Sequence, residues 1–360
     1  MVYNAAVTPS LRLALAIAAV SCASLAACHL PSTFAPGGGA DAAIDAGGEA
    51  GLPESGTDGA PPADSGADAG LDAGGDAGTD AGTDAGTDAA PDGGIAALGP
   101  FGAPALIAPL ADPANDDDPT VTGDLLELYF NSDRAGGPGM GDIWVSTRAL
   151  AGDPWGPPAL VAEVSAPERD TTPEVSADGL TLWIGSNRPG GAGGDDLWVS
   201  TRPDRSTAWS TPVPVVELSS AEDDRGEGVS ADGLRMLLTS TRPGAGATDL
   251  WESTRPTVAA PWSTPVQVTE LDTSSNDSDG SPSPAGLHLY FASDRPVGLG
   301  SYEIWLASRP DVASPFAAPT LVAELNSASG DGDPWVSADL RYVVFYSARS
   351  GNSELYEASR

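Results

Sequence analysis

Lysine is missing from this sequence of 360 residues, and all 16 basic residues are arginine. Asp and Glu number 51, which leaves a formal net charge of −35 at pH 7. This deficit of positive charge argues against nucleic-acid binding, which requires Lys and Arg to neutralise phosphate groups. It also argues against adsorption to an anionic membrane surface by charge alone.

Cysteine and histidine are almost as scarce. The two cysteines, Cys22 and Cys28, both lie near the N-terminus. Disulfides, thiolate metal sites and cysteine nucleophiles are therefore excluded from the rest of the chain. The two histidines are His29 and His288, so we expect no histidine-based metal site within one chain.

The N-terminus carries a short apolar stretch, residues 13–27, that follows Arg12. It is too short and too rich in Ala and Ser for a good transmembrane helix. The stretch instead predicts a secretory signal peptide over residues 1–27.

The end of this stretch, Leu25-Ala26-Ala27-Cys28, resembles a bacterial lipobox. The resemblance implies that Cys28 is acylated and becomes the first residue of a lipid-anchored envelope protein. Two acyl chains suffice for stable anchoring. His29 stands where an inner-membrane retention signal would often place Asp, which favours the outer membrane. An ordinary signal peptide with an incidental cysteine is the alternative.

Residues 28–99 contain few apolar side chains larger than alanine, and their centre reads DAGGDAGTDAGTDAGTDAA at 72–90. Such a stretch cannot bury enough surface to offset the entropy of ordering it. Gly at every fourth position opposes a helix. We therefore expect a disordered acidic linker.

Residues 100–360 consist of five copies of one repeat. A Ser-x-Arg triplet recurs at intervals of 54, 54, 53 and 54 residues, with its arginine at Arg134, Arg188, Arg242, Arg295 and Arg349. An acidic-apolar-aromatic triplet follows each time, with its acid at Asp142, Asp196, Asp249, Glu303 and Glu354. The predicted units are residues 100–153, 154–207, 208–260, 261–314 and 315–360.

Each unit reads as four short strands, which in the second unit fall at 174–176, 180–186, 196–201 and 213–218. Four strands in about 53 residues are typical of a propeller blade. The last unit ends at Arg360 after its third strand, while 103–110 has the pattern of a fourth strand. The sequence therefore predicts an all-β, five-bladed β-propeller in which the strand near 103–110 completes the last blade and closes the ring.

The repeat resembles the WD40-like repeat of the TolB-type propeller family. The matching motifs are Ser132-Asp133-Arg134, Ser293-Asp294-Arg295, Asp142-Ile143-Trp144 and the turn at 230–233. The resemblance implies the propeller fold but says little about function, because propellers carry many activities. TolB also has a second domain before its propeller, which the linker replaces here, so a role in the Tol system is not implied.

The repeated arginines could bind anions, but repetition in every blade favours a structural role. We expect each of them to pair with an acid beside its own strands, such as the triplet acid that follows it, and to cap loop carbonyls.

A second acidic position lies in the loop that enters each first strand, at Asp116, Asp170, Asp224, Asp277 and Asp331. First strands line the channel of a propeller, so these carboxylates are candidates for a ring at its mouth. Further acids surround them: Asp117, Asp118, Asp223, Asp279 and Asp333. The ring could bind a cation or a polar ligand, and Ca²⁺ suits oxygen ligands best. The alternative is that each Asp caps its own turn. No other cofactor is expected.

Trp335 breaks the repeat, since its equivalents are Thr120, Glu174, Gly228 and Ser281. We regard it as the candidate for an asymmetric contact. The sequence as a whole predicts a non-enzymatic envelope scaffold that binds a protein or a peptidoglycan-associated partner. The alternative is a glycoside hydrolase or lectin that uses carboxylates at the channel mouth.

Overall fold

The computed structural model describes residues 98–360. The predicted signal peptide, Cys28 and the linker through residue 97 lie outside the described residues. Residues 98–360 contain strands, turns and bends but no α-helix. Within this part of the chain, accordingly, no helix has the length and apolar character needed to cross a membrane.

Twenty strands make up five sheets of four. The innermost strands are β2 (Asp116–Val121), β6 (Asp170–Val175), β10 (Asp224–Val229), β14 (Asp277–Pro282) and β18 (Asp331–Val336). The second strands are β3 (Glu127–Ser132), β7 (Thr181–Ser186), β11 (Arg235–Ser240), β15 (His288–Ser293) and β19 (Tyr342–Ser347). The third are β4 (Asp142–Thr147), β8 (Asp196–Thr201), β12 (Asp249–Thr254), β16 (Glu303–Ser308) and β20 (Glu354–Ser359). The outermost are β5 (Ala159–Leu160), β9 (Val213–Pro214), β13 (Val266–Gln267), β17 (Thr320–Leu321) and β1 (Ala105–Leu106).

Blades 1 to 4 each follow chain order, from β2–β5 through β14–β17, and every pairing is antiparallel. Blade 5 has the order β18-β19-β20-β1, with Ala105 opposite Glu357 and Leu106 opposite Tyr356. The N-terminal strand therefore completes the last blade, and the predicted closed five-bladed propeller is confirmed. Pairing with β1 covers the edge of β20 that would otherwise be open to another chain.

The innermost strands begin earlier than the sequence suggested. In blade 2 the predicted strand started at Glu174, whereas β6 starts at Asp170. The reason is an irregularity in the pairing of β6 with β7, where Thr171 pairs with Gly185 and Glu174 with Trp183. Thr172 and Pro173 of β6 face the single residue Ile184 of β7, so one extra residue interrupts the apolar alternation expected of a strand.

The core lies in the seams between blades, where the face of one sheet packs on the face of the next. One cluster combines Tyr129 and Ile143 of blade 1 with Leu182, Ile184 and Trp209 of blade 2. Four further clusters of the same kind occur in the described chain. Because both faces of a blade are covered, both faces of its strands carry apolar side chains.

Candidate functional site

The predicted ring aspartates lie inside the blades. Asp116, Asp170, Asp224, Asp277 and Asp331 are fully buried, and none of them lines the channel cavities described below. Each forms an ion pair with the Ser-x-Arg arginine of its own blade, as in Arg134–Asp116 at 2.7 Å and Arg295–Asp277 at 2.5 Å. In most blades the second carboxylate oxygen accepts a backbone N–H of the entering turn.

The sequence had suggested the triplet acids as partners of the arginines. In the structure each arginine pairs instead with the buried aspartate of its own blade. Each arginine also donates to a backbone carbonyl, for example from Arg134 Nη2 to Leu110 O at 2.8 Å. Four of the five triplet acids, Asp142, Asp196, Asp249 and Glu303, instead accept backbone N–H groups of the Gly-rich loop that precedes them. Asp142 accepts from Gly139 N at 3.2 Å and Asp249 from Gly246 N at 2.9 Å. Both sets of residues fix the geometry of the blade.

Carboxylates do reach the channel, but two positions further along the innermost strands. Asp118, Asp279 and Asp333 occupy this position in blades 1, 4 and 5, and their carboxylate oxygens lie within 4.8 Å of one another. The backbone φ angles are 51°, 54° and 48°, which places all three residues in the left-handed region of the bulge. The bulge turns these side chains toward the axis.

Hydrogen bonds between blades hold this cluster in place. Asp118 Oδ2 accepts from the backbone N of Thr172 at 3.0 Å and from the hydroxyl of Thr171 at 2.7 Å. Asp333 Oδ2 accepts from the backbone N of Asp118 at 3.0 Å. The backbone N–H of Asp279 in blade 4 donates to the Thr239 hydroxyl in blade 3 at 3.0 Å. The channel is therefore preorganised by contacts that run from one blade to the next.

Two polar side chains at the cluster have atoms without a partner among residues 98–360. Glu227 Oε1 is buried and accepts no hydrogen bond, and the Thr172 hydroxyl is likewise unpartnered in a side chain that is 4% exposed. Both residues line the same constriction as Asp118, Asp279 and Asp333. Its volume of about 20 Å³ is enough for one water molecule or one ion.

Burial raises the pKa of three acids here well above the usual range. The pKa of Glu227 is raised by burial and then by the charges of Asp279 and Asp118. The pKa of Asp333 is raised by burial and by the same two neighbours, and that of Asp117 by burial and by Asp118. Protons or a cation must therefore compensate part of this negative charge.

A wider chamber of about 360 Å³ opens beside the constriction. Its wall combines Asp117 with Tyr302 and Tyr346, and burial raises the pKa of Tyr302 to about 12. Arg225 also lines the chamber and donates to Asp195 Oδ2 from Nε at 3.0 Å and from Nη2 at 2.8 Å. Arg169 lines the chamber as well, so carboxylates, phenols and two guanidinium groups face a single space.

On its other side the constriction meets a large funnel of about 1000 Å³. Glu174 and Trp335 line both spaces. Glu174 accepts from the Thr120 hydroxyl at 3.0 Å and from the backbone N of Val229 at 3.2 Å, and burial raises its pKa to about 7. Trp335 is partly buried, with its ring edge-on to Tyr342 at 6.5 Å.

The sequence named Asp118, Asp279 and Asp333 as neighbours of the expected ring, but it missed Glu227, Arg225 and Glu174. Each of the three differs from the residues at the same position of the other repeats. At the position of Glu227, for example, the other four repeats have Pro119, Pro173, Gly280 and Pro334. Departure from the repeat was therefore the signal that could have found them.

No protein-family profile matches this chain, and no curated protein sequence does. Similar solved structures include a putative TolB from Agrobacterium tumefaciens, 19% identical with a TM-score of 0.44, over 69% of this chain and 79% of that one. TolB from Acinetobacter baumannii is 15% identical with a TM-score of 0.44, over 70% of this chain and 55% of its own length. An endo-arabinase from Bacteroides thetaiotaomicron is 14% identical with a TM-score of 0.48, over 68% and 93%. At such identities the similarity concerns the fold alone.

The prediction that the chain is not an enzyme was wrong. Several of the similar structures, the endo-arabinase among them, are glycoside hydrolases. Glycoside hydrolysis requires only a pair of carboxylates, and Asp and Glu number 51 in this chain.

Proposed function

We propose that this protein is a binding module of the bacterial cell envelope, anchored through a lipidated Cys28, whose channel holds a cation. The partner would be a protein or a peptidoglycan-associated molecule that docks at the channel end of the propeller. The observation that carries the proposal is the convergence of Asp118, Asp279 and Asp333 beside the unpartnered Oε1 of Glu227.

The chemistry of the cluster favours a cation over an anion or an apolar ligand. Every side-chain donor atom at the constriction is a carboxylate or hydroxyl oxygen, apart from the indole of Trp335. Such oxygen sets suit Ca²⁺, which takes six to eight oxygen ligands. Charges buried together are costly unless paired, so a bound cation would stabilise the ionised form of these acids.

A calcium titration tests this step. We expect the melting temperature to rise with Ca²⁺ and to rise less in Asp333→Asn, because binding to the folded state alone stabilises it by about 2.7 kcal/mol at a hundredfold excess over Kd. Glu163→Gln, at an exposed position away from the cluster, is the matched control. An equal response of Asp333→Asn and the wild type would contradict the cation site.

Docking of a partner requires a separate test. The lipid-free propeller, immobilised and incubated with envelope extract, should retain a partner in Ca²⁺ that is lost from the Asp279→Asn, Asp333→Asn double variant. Glu163→Gln should retain it. A partner that binds the double variant as well as the wild type would move the docking surface away from the channel.

Carbohydrate hydrolysis is the second candidate function, and the acids of the constriction favour it. A carboxyl with a raised pKa, such as Glu227 or Asp333, can act as a general acid while an ionised neighbour assists. Screening against a panel of oligosaccharides tests it. Turnover that is lost in both Glu227→Gln and Asp333→Asn would establish the hydrolase, and a lack of turnover across the panel would count against it.

A further inference from the structure

Each seam between two blades contains an aromatic ring that is covered by an arginine. The ring precedes the outermost strand of a blade, and the arginine follows the third strand of that blade. The distances from guanidinium carbon to ring centroid are 4.0 to 4.3 Å for the pairs Arg148–Trp155, Arg202–Trp209, Arg255–Trp262, Arg309–Phe316 and Arg360–Phe101. All five seams therefore contain one aromatic ring in the same place, contributed by the blade that follows the seam.

In four seams the preceding blade contributes a second aromatic ring that packs against the first. Tyr129 meets Trp209 edge-on at 6.0 Å, and Tyr290 meets Phe101 at 6.4 Å. Trp183 packs in one cluster with Trp262. In the seam between blades 5 and 1 the equivalent residue is Val344, but Tyr342 takes over, with the Trp155 indole N–H donating to its hydroxyl at 3.4 Å.

The seam between blades 3 and 4 has no such second ring. Leu237 stands at the position of Tyr129, Trp183 and Tyr290, and Arg235 stands where blade 5 has Tyr342. A cavity of about 150 Å³ lies there, bounded by Leu237, Leu289, Val268 and Phe316. Phe316 is only partly buried, whereas the four equivalent rings are buried.

Two of the filled seams, those with Tyr129 and Tyr290, also show which polar group can lie beside such a ring. The Tyr290 hydroxyl accepts from Arg360 Nη2 at 2.9 Å. The Tyr129 hydroxyl donates to Glu127 at 2.9 Å, and Glu127 in turn pairs with Arg202 at 2.6 Å. A phenol hydroxyl therefore lies next to the guanidinium or its carboxylate partner.

Arg309 has the same place in the seam between blades 3 and 4, but its partners there are missing. Its Nε donates to Gly286 O at 2.7 Å, and no carboxylate of residues 98–360 forms an ion pair with it. Burial lowers its pKa, although Glu252 and Glu270 lie close enough to oppose that change. Both glutamates line the cavity with Arg309. Donor and acceptor groups thus surround an apolar space.

We propose that this cavity is a binding site for a phenolic ring, such as a 4-hydroxyphenyl group. The ring would take the place that Tyr129 and Tyr290 occupy in their seams, edge-on to Phe316 and against Leu237 and Leu289. The hydroxyl would accept from Arg309 and donate to Glu270 or Glu252. A cavity of about 150 Å³ with apolar walls accommodates benzene, so the size agrees. The site is separate from the channel and does not depend on the cation proposed there.

Titration with p-cresol, followed by methyl NMR of the propeller, tests the proposal. We expect saturable shifts at Leu237, Leu289 and Val268, and at least tenfold weaker binding of toluene, which has the ring but lacks the hydroxyl. Leu237→Tyr places the missing ring in the cavity and should abolish p-cresol binding while it raises the melting temperature. Trp183→Tyr, which keeps a ring in an already filled seam, is the control and should bind p-cresol as the wild type does.

Phe316→Trp fills the same cavity from the other blade and provides a second route if Leu237→Tyr does not fold. No saturable shift in the folded wild type would overturn the proposal. Undiminished p-cresol binding in the cavity-filling variants would also overturn it, because the ligand would then lie elsewhere. Equal affinity for toluene would remove the assigned role of Arg309 and the glutamates.

Discussion

Two positions on the innermost strands, only two residues apart, have opposite characters. The first is Asp in all five blades, and each of these aspartates is buried and paired with an arginine. The second differs between blades and holds Asp118, Thr172, Gly226, Asp279 and Asp333. The first position belongs to what we call the frame, the buried Arg–Asp ion pairs that are repeated in every blade. The second position lines the channel in four of the five blades.

The difference shows how a repeat protein separates folding from binding. A contact that every blade needs requires the same residue type in every repeat. Such a position forms a column, meaning that one residue type recurs there when the five repeats are aligned. A ligand on the axis meets all five blades at once and requires different groups from each. Residues that break a column, such as Glu227 or Leu237, are therefore better guides to function than residues that form one.

Breaking one frame contact should give the largest effect. Arg295→Ala leaves the carboxylate of Asp277 buried without its cation, and removing one partner of a buried pair costs roughly 3–5 kcal/mol. Urea unfolding measures the loss. Arg341→Ala, at an exposed arginine without an ion pair among residues 98–360, should change the free energy of unfolding by less than about 0.5 kcal/mol. Similar losses in the two variants would show that the arginine column is not a frame element.

The pH dependence of stability should depend on Glu174. Because its pKa is raised to about 7 in the folded protein, the folded state binds the proton more tightly than the unfolded chain does. Stability should therefore fall as the pH rises from about 4.5 to 7, by up to about 3 kcal/mol from this residue. In Glu174→Gln the amide oxygen can still accept from Val229 N and the amide nitrogen can donate to the Thr120 hydroxyl, so this variant should reduce the slope of the profile in urea unfolding at pH 5 and pH 8. A profile as steep as that of the wild type would assign the dependence to other groups.

The smallest change in the free energy of unfolding is expected when a channel aspartate is substituted in the absence of a cation. Asp279→Asn removes one of three converging carboxylates, so it should stabilise the calcium-free protein by about 1 kcal/mol. Thermal unfolding in chelator measures the change, with Glu163→Gln as the control. Destabilisation by Asp279→Asn would mean that this carboxylate supports the fold, like the frame aspartates.

Much of the architecture could be predicted from the sequence because it is repeated. Five copies of the Ser-x-Arg triplet gave the number of blades, and the unit that ends at Arg360 without a fourth strand required the segment near 103–110 to complete it. Pairing of Leu106 with Tyr356 confirms this closure. The identity of the channel acids was harder to predict, since Asp116, Asp117 and Asp118 are consecutive and their order does not tell which one faces the axis.

The sequence by itself determined the repeat unit, the closed ring and the residues common to all blades. These features follow from local spacing and from the need of the last blade for a fourth strand. Only the tertiary structure decided that Asp118 faces the channel while Asp116 lies in the blade, because a bulge changes which face a side chain points to. It also decided that Leu237 leaves a cavity beside Phe316, since the two residues come from different blades and meet only across a seam.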